Sequence, residues 1–229
     1  MKNLSNQHKG SLLAFVAVML ITPDSIFIRL SNIETWGMLF YRGAIPFVVV
    51  LIGLIFFYKN NLFKAIVNIG YPGIFYIISF SICNITFIIS IQNTNVANTL
   101  VMIAMAPMLS AILGSVFLKE IPDRKTWIAI IITLISVTYI FYDSIEMGNI
   151  YSDLFGIITA FGLACNAVIA RYAKNRDLVP SAVIGKLCVA IFAFVFVDSF
   201  SLVGTDLIIV PLMCVMCVAI PFVLVTIAP

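Results

Sequence analysis

Charge is scarce in this chain. Only 10% of its 229 residues are Asp, Glu, Lys or Arg, where a soluble domain carries about 25%. Histidine occurs once, as His8, so a histidine-built metal centre or a Ser-His-Asp set lacks its imidazoles. There is no glycine-rich nucleotide loop, and no small-residue cleavage site follows the first apolar run. These absences argue against an enzyme, against a bound cofactor or metal and against a cleaved leader. The five cysteines, Cys83, Cys165, Cys188, Cys214 and Cys217, all fall in apolar segments, which speaks against a disulfide framework. Cys214 and Cys217 form a C-x-x-C. We read them as packing residues, because thiol redox or metal chemistry needs solvent access and an electropositive setting.

What the chain has in excess is hydrocarbon. Hydrophobic residues make up 62% of it and the mean hydropathy is +1.15. They come in blocks of roughly 20 residues, the length that crosses a bilayer core of about 30 Å. The blocks predict an all-α polytopic membrane protein with eight spans, at 10–30, 36–58, 69–91, 96–118, 127–142, 154–172, 180–197 and 207–228. Trp36 and Tyr58 suit the two interfaces of the second span. Of the basic residues, Lys2, Lys9, Lys59, Lys64, Lys119, Arg124, Lys125, Arg171, Lys174 and Arg176 fall on one side, and only Arg29 on the other. The positive-inside rule then puts the N-terminus in the cytoplasm of a multi-pass inner-membrane protein. The net charge of +3 is spread over short loops, so it gives no footprint for nucleic acid. The partners implied are the lipid bilayer and a small-molecule solute, with a homodimer left open.

The segment around which the rest is organised is Thr22-Pro23-Asp24-Ser25, inside the first span. A carboxylate in hydrocarbon costs at least a few kcal/mol and is by default tied to function. Counting 1.5 Å per residue, Asp24 and Arg42 both lie roughly 9 Å below the same interface, so they can pair. That pair is either a substrate- or proton-responsive site or a permanent ion pair that fixes helix packing. Pro23 removes a backbone hydrogen bond and serves as a hinge or a static kink. Asn84 lies at similar depth, as a solute contact or as interhelical glue. Lys186 either snorkels to the interface or serves as an inner gate or a contact for an anionic solute, with Asn166 at matched depth. Met102, Met105 and Met108 recur every three residues, as core packing or as the lining of an adaptable cavity. Glu120, with Lys119, Asp123, Arg124 and Lys125, reads as a solvated loop without a transport role.

The two halves can be laid on each other. A shift of 142 residues puts Asp24 on Asn166 and Arg29 on Arg171, and a slightly longer one puts Arg42 on Lys186. Residues 1–142 hold spans one to five and residues 143–229 hold spans six to eight. An odd number of spans in the first copy inverts the second, as in secondary transporters whose sites lie between repeats. No counterpart of the fourth and fifth spans follows in the second copy.

The chain resembles the drug/metabolite transporter superfamily, in particular its EamA-type members with two five-helix repeats. The resemblance rests on residues 95–127, NVANTLVMIAMAPMLSAILGSVFLKEIPDRKTW, with central Pro107, then Gly114 and Phe117-Leu118-Lys119-Glu120. Arg42 early in the second span and Pro23-Asp24 add to it. Such proteins typically have ten spans, so the resemblance implies fold and ancestry ahead of a working cycle. It implies a secondary transporter of small organic metabolites by alternating access, with proton coupling through Asp24 as one option. The solute or coupling-ion pathway would run by Asp24, Arg42, Asn84, Asn166 and Lys186, with Pro23 and Pro107 as helix hinges. The competing expectation is a truncated, non-transporting paralogue that assembles with another membrane protein.

Overall fold

Backbone polarity decides the architecture. In hydrocarbon every N–H and C=O must be satisfied within the protein, and a helix does this segment by segment. The computed structural model describes residues 12–13, 15–59, 62–120, 122–146 and 150–227, and all regular structure among them is helical. Residues 15–21 are helical. Then follow α1 (Asp24–Leu30), α2 (Thr35–Tyr58), α3 (Leu62–Val67), α4 (Gly70–Asn93), α5 (Val96–Ile103) and α6 (Ala106–Phe117). The rest comprises α7 (Arg124–Glu146), α8 (Ile150–Tyr172), α9 (Val179–Phe194), α10 (Asp206–Met213), a π-helix (Cys214–Ala219) and α11 (Ile220–Ile227).

Five stretches among the described residues are long and apolar enough to cross a membrane. They are Thr35–Tyr58, Gly70–Asn93, Val96–Phe117, Tyr151–Tyr172 and Asp206–Leu224. The segment predicted as the seventh span is shorter than expected. Its helix ends at Phe194 after 16 residues, about 24 Å at 1.5 Å per residue and short of the roughly 30 Å core. The predicted first span is not one helix, because a turn at Thr22-Pro23 separates residues 15–21 from α1. The start of that span, residues 10–11, lies outside the described residues, as does its neighbour His8.

The chain divides into two compact units, one of residues 1–63 with 186–229 and one of residues 64–185. In the first, α2 packs against the π-helix, and α10 packs against α1 and α2. Gly43 sets the approach of α2 to the C-terminal part of α9. A Cβ there would stand 2.7 Å from the Ala190 nitrogen and 2.8 Å from the Lys186 carbonyl oxygen, so only a residue without one lets the backbones meet. Trp36 does not stand alone at an interface. Its ring stacks on Phe196 at 4.9 Å and meets Phe192 edge-on at 6.1 Å.

In the second unit α4 lies along α8, and α5, α6 and α7 complete the bundle. Gly156, Ala160 and Ala164 recur every four residues on α8 and are all buried, a small-residue stripe of the kind that lets membrane helices approach closely. Hydroxyls stitch the seam: Thr86 and Thr159 share a 2.8 Å hydrogen bond, and Ser79 donates to the Gly162 carbonyl at 3.1 Å. Met102, Met105 and Met108 are buried together with Ile130, Val137 and Ala160. The methionine stripe is therefore core packing.

Candidate functional site

The site begins with a broken helix. Pro23 has no N–H to give to the Met19 carbonyl, and the chain turns at Thr22-Pro23. Thr22 holds the end of the preceding helix with two bonds to the Val18 carbonyl, from its N–H at 3.1 Å and its Oγ1 at 2.9 Å. Helix α1 restarts on the Pro23 carbonyl, which accepts from the N–H groups of Ile26 and Phe27, each at 3.1 Å. Asp24 therefore stands in the first turn of a new helix, where the positive end of the helix favours an acid. It is 4% exposed.

Arg42, in α2, is the partner. Its Nη1 donates to Asp24 Oδ1 and its Nη2 donates to Asp24 Oδ2 at 2.7 Å. This is a two-pronged guanidinium–carboxylate pair, the stronger class of hydrogen-bonded ion pair. Arg42 is 9% exposed, so water screens it little. The pair that depth counting allowed is formed. Gly43, next in sequence, lets the α9 backbone close over this level of α2.

Lys186 lies in α9 and is buried, not snorkelled out to an interface. It sits close enough to Cys214 to act on it electrostatically, and Arg42 stands in the same relation to both Cys214 and Cys217. One carboxylate, two cations and two thiols thus surround the same region of the first unit. The thiols arrive there on the π-helix. Pro221 has no N–H for the Cys217 carbonyl, and the Ile220 N–H reaches back five residues to Val215. This widened turn is a local form often found at functional sites. Sequence reading missed it. Its signal was the pair Pro211 and Pro221, ten residues apart in one apolar run.

The remaining candidates belong to the second unit. Asn84 Nδ2 donates to the Phe80 carbonyl of its own helix at 2.8 Å. Asn166 is buried, and its Oδ1 accepts no hydrogen bond among the described residues. Asn166 and Lys186, matched in depth by sequence, fall in different units. Pro107 occupies the first turn of α6, and α5 stops at Ile103 with a turn at Ala104-Met105. The predicted fourth span is therefore two helices, broken just before Pro107. Glu120 forms an exposed ion pair with Arg171 at 2.8 Å.

Two acids that fall one residue outside the predicted spans 154–172 and 207–228, Asp153 and Asp206, are buried. Asp206 opens α10 and accepts the Asn32 N–H at 3.3 Å. Asp153, in the first turns of α8, is fully buried and accepts from Thr94 Oγ1 at 2.8 Å. Among the described residues no three His, Cys, Asp or Glu side chains gather closely enough to hold a metal ion.

Among curated proteins and among solved structures, none matches the chain. Residues 8–142, more than half of the chain, match the EamA-like transporter family. By that match, the chain, with its apolar helices, belongs to the EamA-like transporter family.

Proposed function

We propose that the protein is a secondary transporter of small organic metabolites, working by alternating access in the inner membrane with its N-terminus in the cytoplasm. The observation that carries this reading is the buried Asp24–Arg42 pair on a helix broken at Pro23. A charge pair held by two hydrogen bonds between a short helical piece and a long helix has two states, closed on itself or opened onto a solute. Solute groups of either sign find a partner there, a cation on Asp24 and an anion on Arg42 or Lys186. If transport is coupled to protons, Asp24 is the group that takes one up when Arg42 leaves it.

In this reading eight spans cross the membrane. Residues 1–142 and 143–229 are inverted copies, and Asn84 and Asn166 contribute polar contacts along the pathway. Breaks at Pro23 and at Pro107 serve as the hinges. Family membership and the apolar helices support the membrane setting. Counterflow in proteoliposomes tests the function, with the purified chain loaded with pooled unlabelled metabolites and assayed class by class for labelled uptake. A transporter accumulates label transiently with at least one class. Absence of counterflow with every class, from protein shown to be folded, overturns the proposal.

A further inference from the structure

The second unit carries a groove that the transport reading does not use. It has a volume of about 860 Å³ and lies between the ends of α4, α6 and α8. Its walls are Tyr71 and Phe75 of α4, Leu113 and Phe117 of α6, and Val168 and Ile169 of α8. Along α8 it runs from Cys165 to Tyr172, roughly 10 Å at 1.5 Å per residue and about a third of a hydrocarbon core of ~30 Å. The walls stay open sideways: Phe75 is 64% exposed and Phe117 71%. At its polar end stand Asn175 and Arg176.

Arg176 is placed there by the backbone. Its Nη1 donates to the Asn68 carbonyl at 3.3 Å, and the guanidinium lies over Gly70, whose φ is +59°. The dihedral calls for glycine there, and a Cβ at Gly70 would stand 2.0 Å from Nη1 and push the guanidinium aside. A guanidinium has five N–H donors. Among the described residues that is the one hydrogen bond the Arg176 side chain makes, and it forms no ion pair. The surrounding charge has one sign in excess. Lys119, Arg124, Lys125, Arg171 and Lys174 stand near the same helix ends against Glu120, Asp123 and Asp177, and Glu120 is taken up by Arg171.

We infer that this groove binds an anionic phospholipid of the surrounding bilayer, its phosphate on Arg176 and the first part of one acyl chain along the aromatic wall. The occupant must be long, apolar and negatively charged at one end, and it must enter sideways from hydrocarbon. A bilayer lipid meets all of these conditions. Hydrocarbon in the groove replaces hydrocarbon in the bilayer, so the tail supplies shape and the headgroup supplies the preference. One basic residue beside an anionic headgroup contributes about 1 kcal/mol, roughly a five-fold preference.

The test uses the full chain carrying Phe75→Trp in bilayers of zwitterionic phosphatidylcholine. The signal is the fluorescence quenched by lipid with brominated chains, taken as the difference from the parent protein. Titrating brominated phosphatidylglycerol or brominated phosphatidylcholine into the bilayer gives the relative association of each with the groove. The expected result is at least a five-fold preference for phosphatidylglycerol. Arg176→Gln abolishes it while the tail still quenches, and Arg124→Gln, outside the groove, leaves it in place. Millimolar glycerol 3-phosphate, a headgroup without tails, does not displace the lipid. Equal association of the two lipids overturns the inference, as does a preference that survives Arg176→Gln or falls equally with Arg124→Gln. Displacement by glycerol 3-phosphate would overturn it too, in favour of a soluble phosphate.

Discussion

Removing one side of the Asp24–Arg42 pair strands a charge in an interior that water does not reach. In Asp24→Leu the guanidinium keeps its charge and loses both carboxylate bonds. At an effective dielectric near 20 and a charge separation of about 4 Å, the lost attraction is about 4 kcal/mol. Breaking one partner out of a buried pair costs about 3–5 kcal/mol by the same logic. Both residues are more than nine-tenths buried, so the figure needs little reduction for solvent screening. Each 1.4 kcal/mol is a factor of ten, so the folded population relative to unfolded drops by two to three powers of ten. Unfolding of purified protein in mixed micelles by SDS, followed by circular dichroism, measures it. Arg42→Met strands the carboxylate and costs a similar amount. The double variant Asp24→Leu/Arg42→Met, with nothing left to strand, returns to within about 1 kcal/mol of the parent. The reasoning fails if Asp24→Leu costs less than about 1 kcal/mol, or if the double variant loses the sum of the two singles.

Three further outcomes follow from contacts elsewhere. Gly43→Ala drives a methyl into the backbone at Lys186 and Ala190 and costs about 1–3 kcal/mol. Gly53→Ala, in the same helix with open space around it, gains up to about 1 kcal/mol in helix propensity, and the same SDS titration compares the two. Thr94→Val removes the hydroxyl that donates to the fully buried Asp153 and costs about 1–3 kcal/mol, whereas Thr126→Val at an exposed cap costs less. The Asp123 carboxyl is held below its ordinary range by hydrogen bonds from the Thr126 hydroxyl and then from its N–H. Its contribution is present above the unfolded-state value and is lost as pH falls through the depressed one. A carbon-13 titration of Asp123 checks the direction, and in Thr126→Val the midpoint rises toward the ordinary carboxylate range.

Depth counting made the central pair legible, because 1.5 Å per residue turns sequence position into height for any two apolar helices. Pro23 was legible for a similar reason, since a missing N–H breaks the ladder whatever the surroundings. Pro107 was seen as an interruption, but the sequence did not show that α5 and α6 would separate by a turn at Ala104-Met105. Asp153 and Asp206 border the predicted spans 154–172 and 207–228, and nothing in the sequence marks them as buried. Their burial comes from tertiary neighbours, Thr94 and Asn32, that lie far along the chain. The π-helix was barely legible, because a run of apolar residues carries no periodicity to mark a widened turn and only Pro211 and Pro221 interrupt it. Lys186 shows the limit most plainly. Its position allowed snorkelling, and only the packing around α9 put it inside.

The central claim is that the Asp24–Arg42 pair is the working part of a transporter and not only a brace between α1 and α2. The doubly neutral variant Asp24→Leu/Arg42→Met separates the two roles, because it restores stability without restoring charge. Counterflow through that variant, in proteoliposomes with a solute the parent carries, is the most direct measurement. The expected result is a folded protein whose flux has dropped at least a hundred-fold. A folded double variant that transports at the parental rate would contradict it and leave the pair a structural brace.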